Sequence, residues 1–233
     1  MSILTAEILT AGECAAIAER VRACEPHWTR RAANEFFTLG AASYLDDENA
    51  YLVRASSTNP RLEADFADLH ERLRAAIAER LGAPCAFAPP FALPGFHIWR
   101  VPGIPTRPEA SLHFDMQYQR VPFPERAKSG FARPISFTLP LVLPRLGGGL
   151  TTWDITLDQV NEFYRRTGYS VTLEELTLLL TARHHAYQPG TLVLHSGHML
   201  HQIAPVPSVE PDDERIALQG HGIFYDGGWK LYW

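Results

Sequence analysis

The chain has 233 residues, of which 46% are hydrophobic and 20% charged, and its net charge is −5. This balance provides enough apolar material for a sizeable core and excludes wholesale disorder. Lys128 and Lys230 are the only lysines and the arginines are scattered, so no basic stripe points to nucleic acid. Cys14, Cys24 and Cys85 are widely spaced, with no Cys-x-x-Cys pairing. That argues against a disulfide framework or a zinc ribbon and for a reducing compartment. No run approaches the ~18 apolar residues of a membrane helix. The first residues lack a basic stretch, and Glu7, Glu13 and Glu19 interrupt any apolar run, so no signal peptide is read. The expectation is a soluble cytoplasmic protein with neither a membrane nor a nucleic-acid partner.

In chain order, the first third reads as mostly helical. Thr10-Ala11-Gly12-Glu13 has the form of a capping box, and Cys14, Ile17, Ala18 and Val21 follow at helical spacing. Asn59-Pro60 is a second start signal, with Asn as cap and Pro in the first turn. Leu62, Phe66, Leu69, Leu73 and Ile77 then form an apolar stripe that Gly82 and Pro84 close.

From Pro84 the chain breaks into short β-branched and aromatic runs separated by Pro and Gly. The runs are 95–101, 112–118, 135–143, 191–195, 215–224 and 229–233. Such punctuation predicts a β-sandwich or barrel. One helical insertion, about 155–182, interrupts them. Thr156-Leu157-Asp158-Gln159 and Thr172-Leu173-Glu174-Glu175 both look like capping boxes. The whole reads as a single domain over 1–233: a helical region, 1–83, packed on a β core, 84–233.

The strongest local feature is Leu112-His113-Phe114-Asp115. On a strand, residues two apart share a face, so His113 and Asp115 would offer an imidazole and a carboxylate to one ion. The tripeptide alone is common and also reads as a strand face or a local His–Asp hydrogen bond. A third ligand comes from the run Gln188-Pro189-Gly190 to Pro205, where a Pro-Gly turn leads into an apolar strand, a small turn and then His201. His198 in the turn and His195 in the strand are the alternatives. Two His and one carboxylate on one side of an ion leave its other side open, the arrangement that suits Fe(II) binding a co-substrate and dioxygen.

Arg215 opens the next strand after the acidic loop Glu210-Pro211-Asp212-Asp213-Glu214. Alternation puts Arg215, Ala217, Gln219 and His221 on one face, a polar pocket, and Ile216, Leu218 and Gly220 on the other, a core. An arginine fork binds a carboxylate bidentately, and each charge-assisted hydrogen bond contributes about 1.5–3 kcal/mol. Pairing with the acidic loop at the surface is the other reading of this arginine.

His-x-Asp, a distal His, and an Arg shortly after it on the next strand together resemble the 2-oxoglutarate/Fe(II)-dependent oxygenase superfamily. The resemblance covers roughly 84–233 and includes Gly147-Gly148-Gly149-Leu150, which is similar to the family's Gly-Gly hairpin turn. It implies a mainly β fold with flanking helices around a double-stranded β-helix (a jelly-roll, cupin-like core). It also implies iron ligation by His113, Asp115 and His201, and Arg215 on the C5 carboxylate of 2-oxoglutarate. Dioxygen and a small-molecule or peptide substrate are the implied partners, and hydroxylation with release of succinate and CO2 the implied reaction. Asp115 stands where related halogenases carry a small residue, which favours hydroxylation or a related oxidation. One position departs from the pattern. Many members carry a hydroxyl residue two places after the Arg, and here it is Ala217; Gln219, Thr138 or Gln117 are the candidate replacements in co-substrate binding. Trp99, Trp153 and Tyr118 are candidate pocket aromatics. The insertion is placed to cover the barrel mouth, with Arg165, Arg166 and Arg183 available to an anionic substrate. A cupin-like metalloenzyme that uses no 2-oxoglutarate, and a non-catalytic jelly-roll binding module, are the alternatives. The absence of His-Glu-x-x-His argues against a zinc protease.

Overall fold

The computed structural model describes residues 3–31, 35–107, 112–128 and 133–233. Its elements in chain order are β1 (Leu4–Glu7), α1 (Ala11–Ala23), β2 (Thr29–Arg30), β3 (Phe36–Leu39), α2 (Glu48–Leu81), β4 (Cys85–Phe87) and β5 (Gly95–Arg100). Then come β6 (Ile135–Val142), β7 (Gly149–Thr156), α3 (Leu157–Thr167), α4 (Leu173–Leu179), β8 (Ala182–Ala186) and β9 (Thr191–Ser196). The last are β10 (Met199–Ile203), β11 (Glu214–Tyr225) and β12 (Gly228–Tyr232). The mainly β class with flanking helices is as the punctuation of the sequence predicts.

The strands form two sheets. The larger runs β1-β9-β6-β11-β5-β3-β2, with β12 beside the second half of β11 and β4 outside β12; the smaller runs β10-β7-β8. The twelve-residue β11 is the spine. It pairs with β6 from Ile216 to Gly222, with β5 from Glu214 to Gln219, and with β12 from His221 to Tyr225. One face of this sheet is apolar. Phe96, Ile98, Phe137, Leu139, Leu192, Leu194, Ile216 and Leu218 pack there against Val21 of α1 and Leu62, Phe66, Leu69 and Leu73 of α2. Pleat alternation puts the residues between them on the opposite, concave face.

Three expectations need correction. The second helix begins at Glu48, capped by Asp47, and runs through Pro60; it breaks at Phe66, whose backbone leaves the helical region (φ −136, ψ 19). Asn59 is therefore not a cap. Its side-chain amide donates to Phe91 O and its carbonyl accepts from Leu93 N, both at 3.0 Å, tying α2 to the segment before β5. Second, the N-terminal third is not only helical, because β1, β2 and β3 extend the large sheet. Third, the Gly147-Gly148-Gly149 turn joins no hairpin. It carries the chain from β6 in the large sheet to β7 in the small one, with φ of +90° and +103° at Gly147 and Gly148, which a side chain would strain. The capping boxes at Thr10, Thr156 and Thr172 all form.

Phe96 is fully buried, its ring 4.7 Å from that of Phe66. Phe96→Ala should lower the unfolding free energy by about 3–5 kcal/mol, read from the midpoint of a denaturant titration.

Candidate metal centre

His113 enters the site from an irregular segment. Its backbone N–H and C=O each pair with His201 at 3.1 Å, across an isolated antiparallel bridge. Asp115 N donates to Gly197 O at 2.7 Å, and the chain then turns through a short 3-10 helix, Gln117–Gln119. The strand expected over 112–118 is therefore not formed. Backbone bonds to both ends of the β9–β10 turn orient His113 and Asp115 in place of strand alternation.

The side chains nevertheless converge. His113 Nε2 lies 3.4 Å from Asp115 Oδ1, and His201 Nε2 lies 3.2 Å from Asp115 Oδ2. One ligand atom from each residue falls within 4.8 Å of the others, and among the described residues no other trio of His, Cys, Asp or Glu does so. His201 Nδ1 donates to Met199 O at 2.8 Å, because a carbonyl only accepts; its Nε2 lone pair is thus left for an ion. Asp115 is buried. Burial alone would push its carboxyl up, but the imidazoles of His201 and His113 hold it well below the usual carboxylate range. Gln117 Nε2 donates to Asp115 Oδ1 at 2.7 Å, and Ser136 Oγ donates to Asp115 Oδ2.

These groups sit in a cavity of about 660 Å3, a size typical of small-molecule sites. The large sheet lines it with Ser136, Thr138, His195, Gln219 and His221; the small sheet supplies Leu150, His201 and Ile203. Arg215 lies on the same face of β11 as Gln219 and His221 and is only 3% exposed. Among the described residues its guanidinium has no ion-pair or hydrogen-bond partner. Its guanidinium carbon stands 5.7 Å from the ring centroid of Tyr187. Burial draws its pKa below the usual arginine value, yet a guanidinium stays charged. A buried cation without a counter-charge is costly until an anion arrives.

Comparison with known proteins bears on the fold. No protein-family model matches the sequence, and no curated protein matches it significantly. Among solved structures, a novel N-substituted L-amino acid dioxygenase from Burkholderia ambifaria AMMD is 18% identical, with 99% of this chain and 85% of that one covered. The TM-score is 0.56, and 0.53 for its complex with alpha-KG. The non-heme alpha ketoglutarate dependent epimerase SnoN from nogalamycin biosynthesis is 15% identical, covering 94% of this chain and 76% of that one, at a TM-score of 0.54. The chain shares its fold with these 2-oxoglutarate-dependent oxygenases. At such identities the likeness concerns architecture, and the double-stranded β-helix core implied by the motif resemblance is the fold observed.

The alternatives for the third imidazole are separated by geometry. His198 turns away, with Nε2 3.2 Å from Tyr118 Oη, and does not line the cavity. His195 does line it, with its ring 4.5 Å from that of His201, but its Nδ1 donates to Ser196 O. Burial first, and then His201, push its pKa down to about 3. Gln117 bonds Asp115, at the metal end of the cavity, whereas Thr138 and Gln219 are on the sheet floor. Trp99 lines the cavity; Trp153 and Tyr118 belong to cores outside it. No described residue of α3 or α4 lines the cavity. The insertion packs instead through Leu176 against Trp153 of β7 and Leu200 of β10, with Phe114 in the same cluster. Arg165 pairs with Glu162 and Arg183 with Asp154, so these arginines do not face the metal cavity.

Several cavity residues escaped the sequence reading. Ser136 and Tyr187 are two: Ser136 alternates with Thr138 along β6, a legible signal, whereas Tyr187 merely precedes a Pro-Gly turn. Tyr44 is another, in a region read as helical. Its hydroxyl lies 2.8 Å from His97 Nε2 and 3.4 Å from Gln219 Oε1. Burial, followed by the charge of Arg215, pushes the His97 pKa from 6.5 down to about 3. The unfolded chain therefore takes up a proton on His97 below pH 6.5 that the native state refuses until about pH 3. Stability contributed by neutral His97 is complete above 6.5 and is lost as pH falls through that window. His97→Gln should flatten the slope of unfolding free energy between about pH 4 and 6 by roughly 1.4 kcal/mol per pH unit, measured by denaturant titration at each pH.

Proposed function

We propose that the protein is an Fe(II)- and 2-oxoglutarate-dependent oxygenase acting on a small molecule. The observation that carries this is a cavity holding the compact His113–Asp115–His201 trio, with a buried Arg215 on the same face of β11 as the cavity residues Gln219 and His221 and with its guanidinium against the cavity residue Tyr187. The donor set fits the metal: two imidazoles and a carboxylate on one side suit Fe(II) with open positions. His113 and His201 would bind through Nε2, and Asp115 through its carboxylate. The ion with 2-oxoglutarate supplies dioxygen activation coupled to decarboxylation, yielding succinate and CO2 as the substrate is oxidised.

The remaining roles belong to the chain. Arg215 anchors the far carboxylate of 2-oxoglutarate, a dianion that removes the cost of burying the guanidinium. Ala217 offers no hydroxyl there. The Tyr187 ring beside Arg215 and the Thr138 hydroxyl on β6, with its cross-strand partner Gln219 on β11, take that place. An apolar surface for the substrate lies on the same sheet, where Trp99, the cross-strand partner of Arg215, stacks on Phe36 at 3.8 Å and Tyr44 and Leu45 complete the lining. The volume suits an amino acid derivative or another small molecule. The carboxylate ligand favours hydroxylation or a related oxidation. The likeness in fold to a dioxygenase of N-substituted amino acids and to an epimerase supports this range of outcomes.

Anaerobic addition of 2-oxoglutarate to the Fe(II) protein should produce a visible charge-transfer band. Absence of the band, together with no succinate formed in air, would sink the reading. Arg215→Gln should raise the 2-oxoglutarate concentration needed for half the band roughly ten- to a hundredfold, the equivalent of one lost charge-assisted hydrogen bond. Replacing both His113 and Asp115 by Ala should abolish stoichiometric iron binding, checked by metal analysis after anaerobic loading.

A further inference from the structure

The Asp115 carboxylate is held from two sides. Gln117, two residues on, donates Nε2–H to Oδ1 at 2.7 Å. On the other side Ser136 Oγ reaches Oδ2, and the same oxygen lies 3.1 Å from His221 Nδ1. The proton inventory of this chain has one solution. An ionised carboxylate only accepts, so the single Ser136 proton goes to Asp115. Ser136 Oγ must then accept, and His221 Nδ1 carries the hydrogen. The order is therefore His221 Nδ1–H to Ser136 Oγ, and Ser136 O–H to Asp115 Oδ2.

Each link is fixed by the fold. Ser136 and His221 are direct cross-strand partners on β6 and β11, so their side chains rise together from the concave face. His221 is caged by aromatic rings. Tyr44 meets it edge-on at 5.7 Å and 83°, and Tyr232 packs 5.7 Å away. Burial keeps its imidazole neutral, the form with one N–H to give. Neither Ser136 nor His221 is itself a member of the metal trio.

We propose that Ser136 and His221, with Gln117 opposite, are positioning residues that lock the rotation of the Asp115 carboxylate. The lock sets the ligand oxygen before any ion arrives, and so raises metal affinity and fixes coordination geometry. It rests on the iron-site reading given above. It also puts two controls on one strand, because β11 carries Arg215 near its start and His221 six residues later. The distance between the co-substrate's far anchor and the orienter of the metal carboxylate is thereby set by six residues of a rigid, doubly paired strand.

Cobalt(II) is the probe, titrated into metal-free protein and followed by its visible d–d bands. Wild type should bind one equivalent. Ser136→Ala should weaken binding about ten- to a hundredfold, with altered band positions, because the carboxylate is freed to rotate. Ser136→Thr keeps the hydroxyl and should restore both affinity and bands. His221→Asn places an amide N–H near the position of Nδ1–H and should stay close to wild type, whereas His221→Phe fills the aromatic cage without a donor and should behave like Ser136→Ala. A thermal melt of each metal-free variant identifies any that are unfolded. If Ser136→Ala fails to fold, the His221→Asn and His221→Phe pair decides. Folded Ser136→Ala or His221→Phe protein with wild-type affinity and an unchanged spectrum overturns the lock while leaving the metal centre standing. Failure of wild type to bind Co(II) or Fe(II) overturns the metal centre and the lock together.

Discussion

The pleat of β11 is the constraint on which the rest depends. Because successive side chains of a strand point to opposite faces, one twelve-residue segment serves two environments at once. Ile216 and Leu218 face the helices, while Gln219 and His221 line the cavity and Arg215 shares their face of the strand. Pairing on both sides along most of its length holds this alternation in register. A slip of one residue would move the arginine into the apolar core and the leucine into the site. The flanking strands repeat the pattern in step: Ser136 and Thr138 on β6 stand opposite His221 and Gln219, and His97 on β5 stands opposite Ala217.

Two buried charges stand on this face of the sheet and beside it. Asp115 and Arg215 are both buried, and they are not paired with each other. The carboxylate is compensated by two hydrogen-bond donors and two imidazoles, the guanidinium by little more than an aromatic ring. Burying charges in this way costs several kcal/mol per ion unless partners are supplied. A divalent cation at one end and a dicarboxylate spanning to the other would supply both.

The N-terminal third has a larger part than a scaffold. β3 extends the sheet and delivers Phe36, and the segment before α2 delivers Tyr44 and Leu45 to the cavity. A buried network fixes that segment: Arg31 pairs with Asp46 at 2.5 Å, Arg54 reaches Asp46 at 2.9 Å, and Ala42 N donates to the same carboxylate. The insertion α3–α4, by contrast, braces the metal loop through Phe114 and stays out of the cavity.

The sequence alone determined what is local or periodic. Three capping boxes, most of the strand runs and the two faces of β11 follow from neighbouring residues and repeat lengths, whereas His113 and Asp115 are turned together by backbone bonds to His201 and Gly197 and not by a strand. The choice among His195, His198 and His201 was only tertiary. Each follows the same Pro-Gly turn, and what separates them is which ring the backbone bridge to His113 turns toward Asp115. The same holds for Tyr187 beside Arg215, for Tyr44 beside His97, and for the route of the Gly147-Gly148-Gly149 turn between sheets. These contacts join segments far apart in the chain, and no local propensity encodes them. They form only when the large sheet closes against the small one and buries the side chains between.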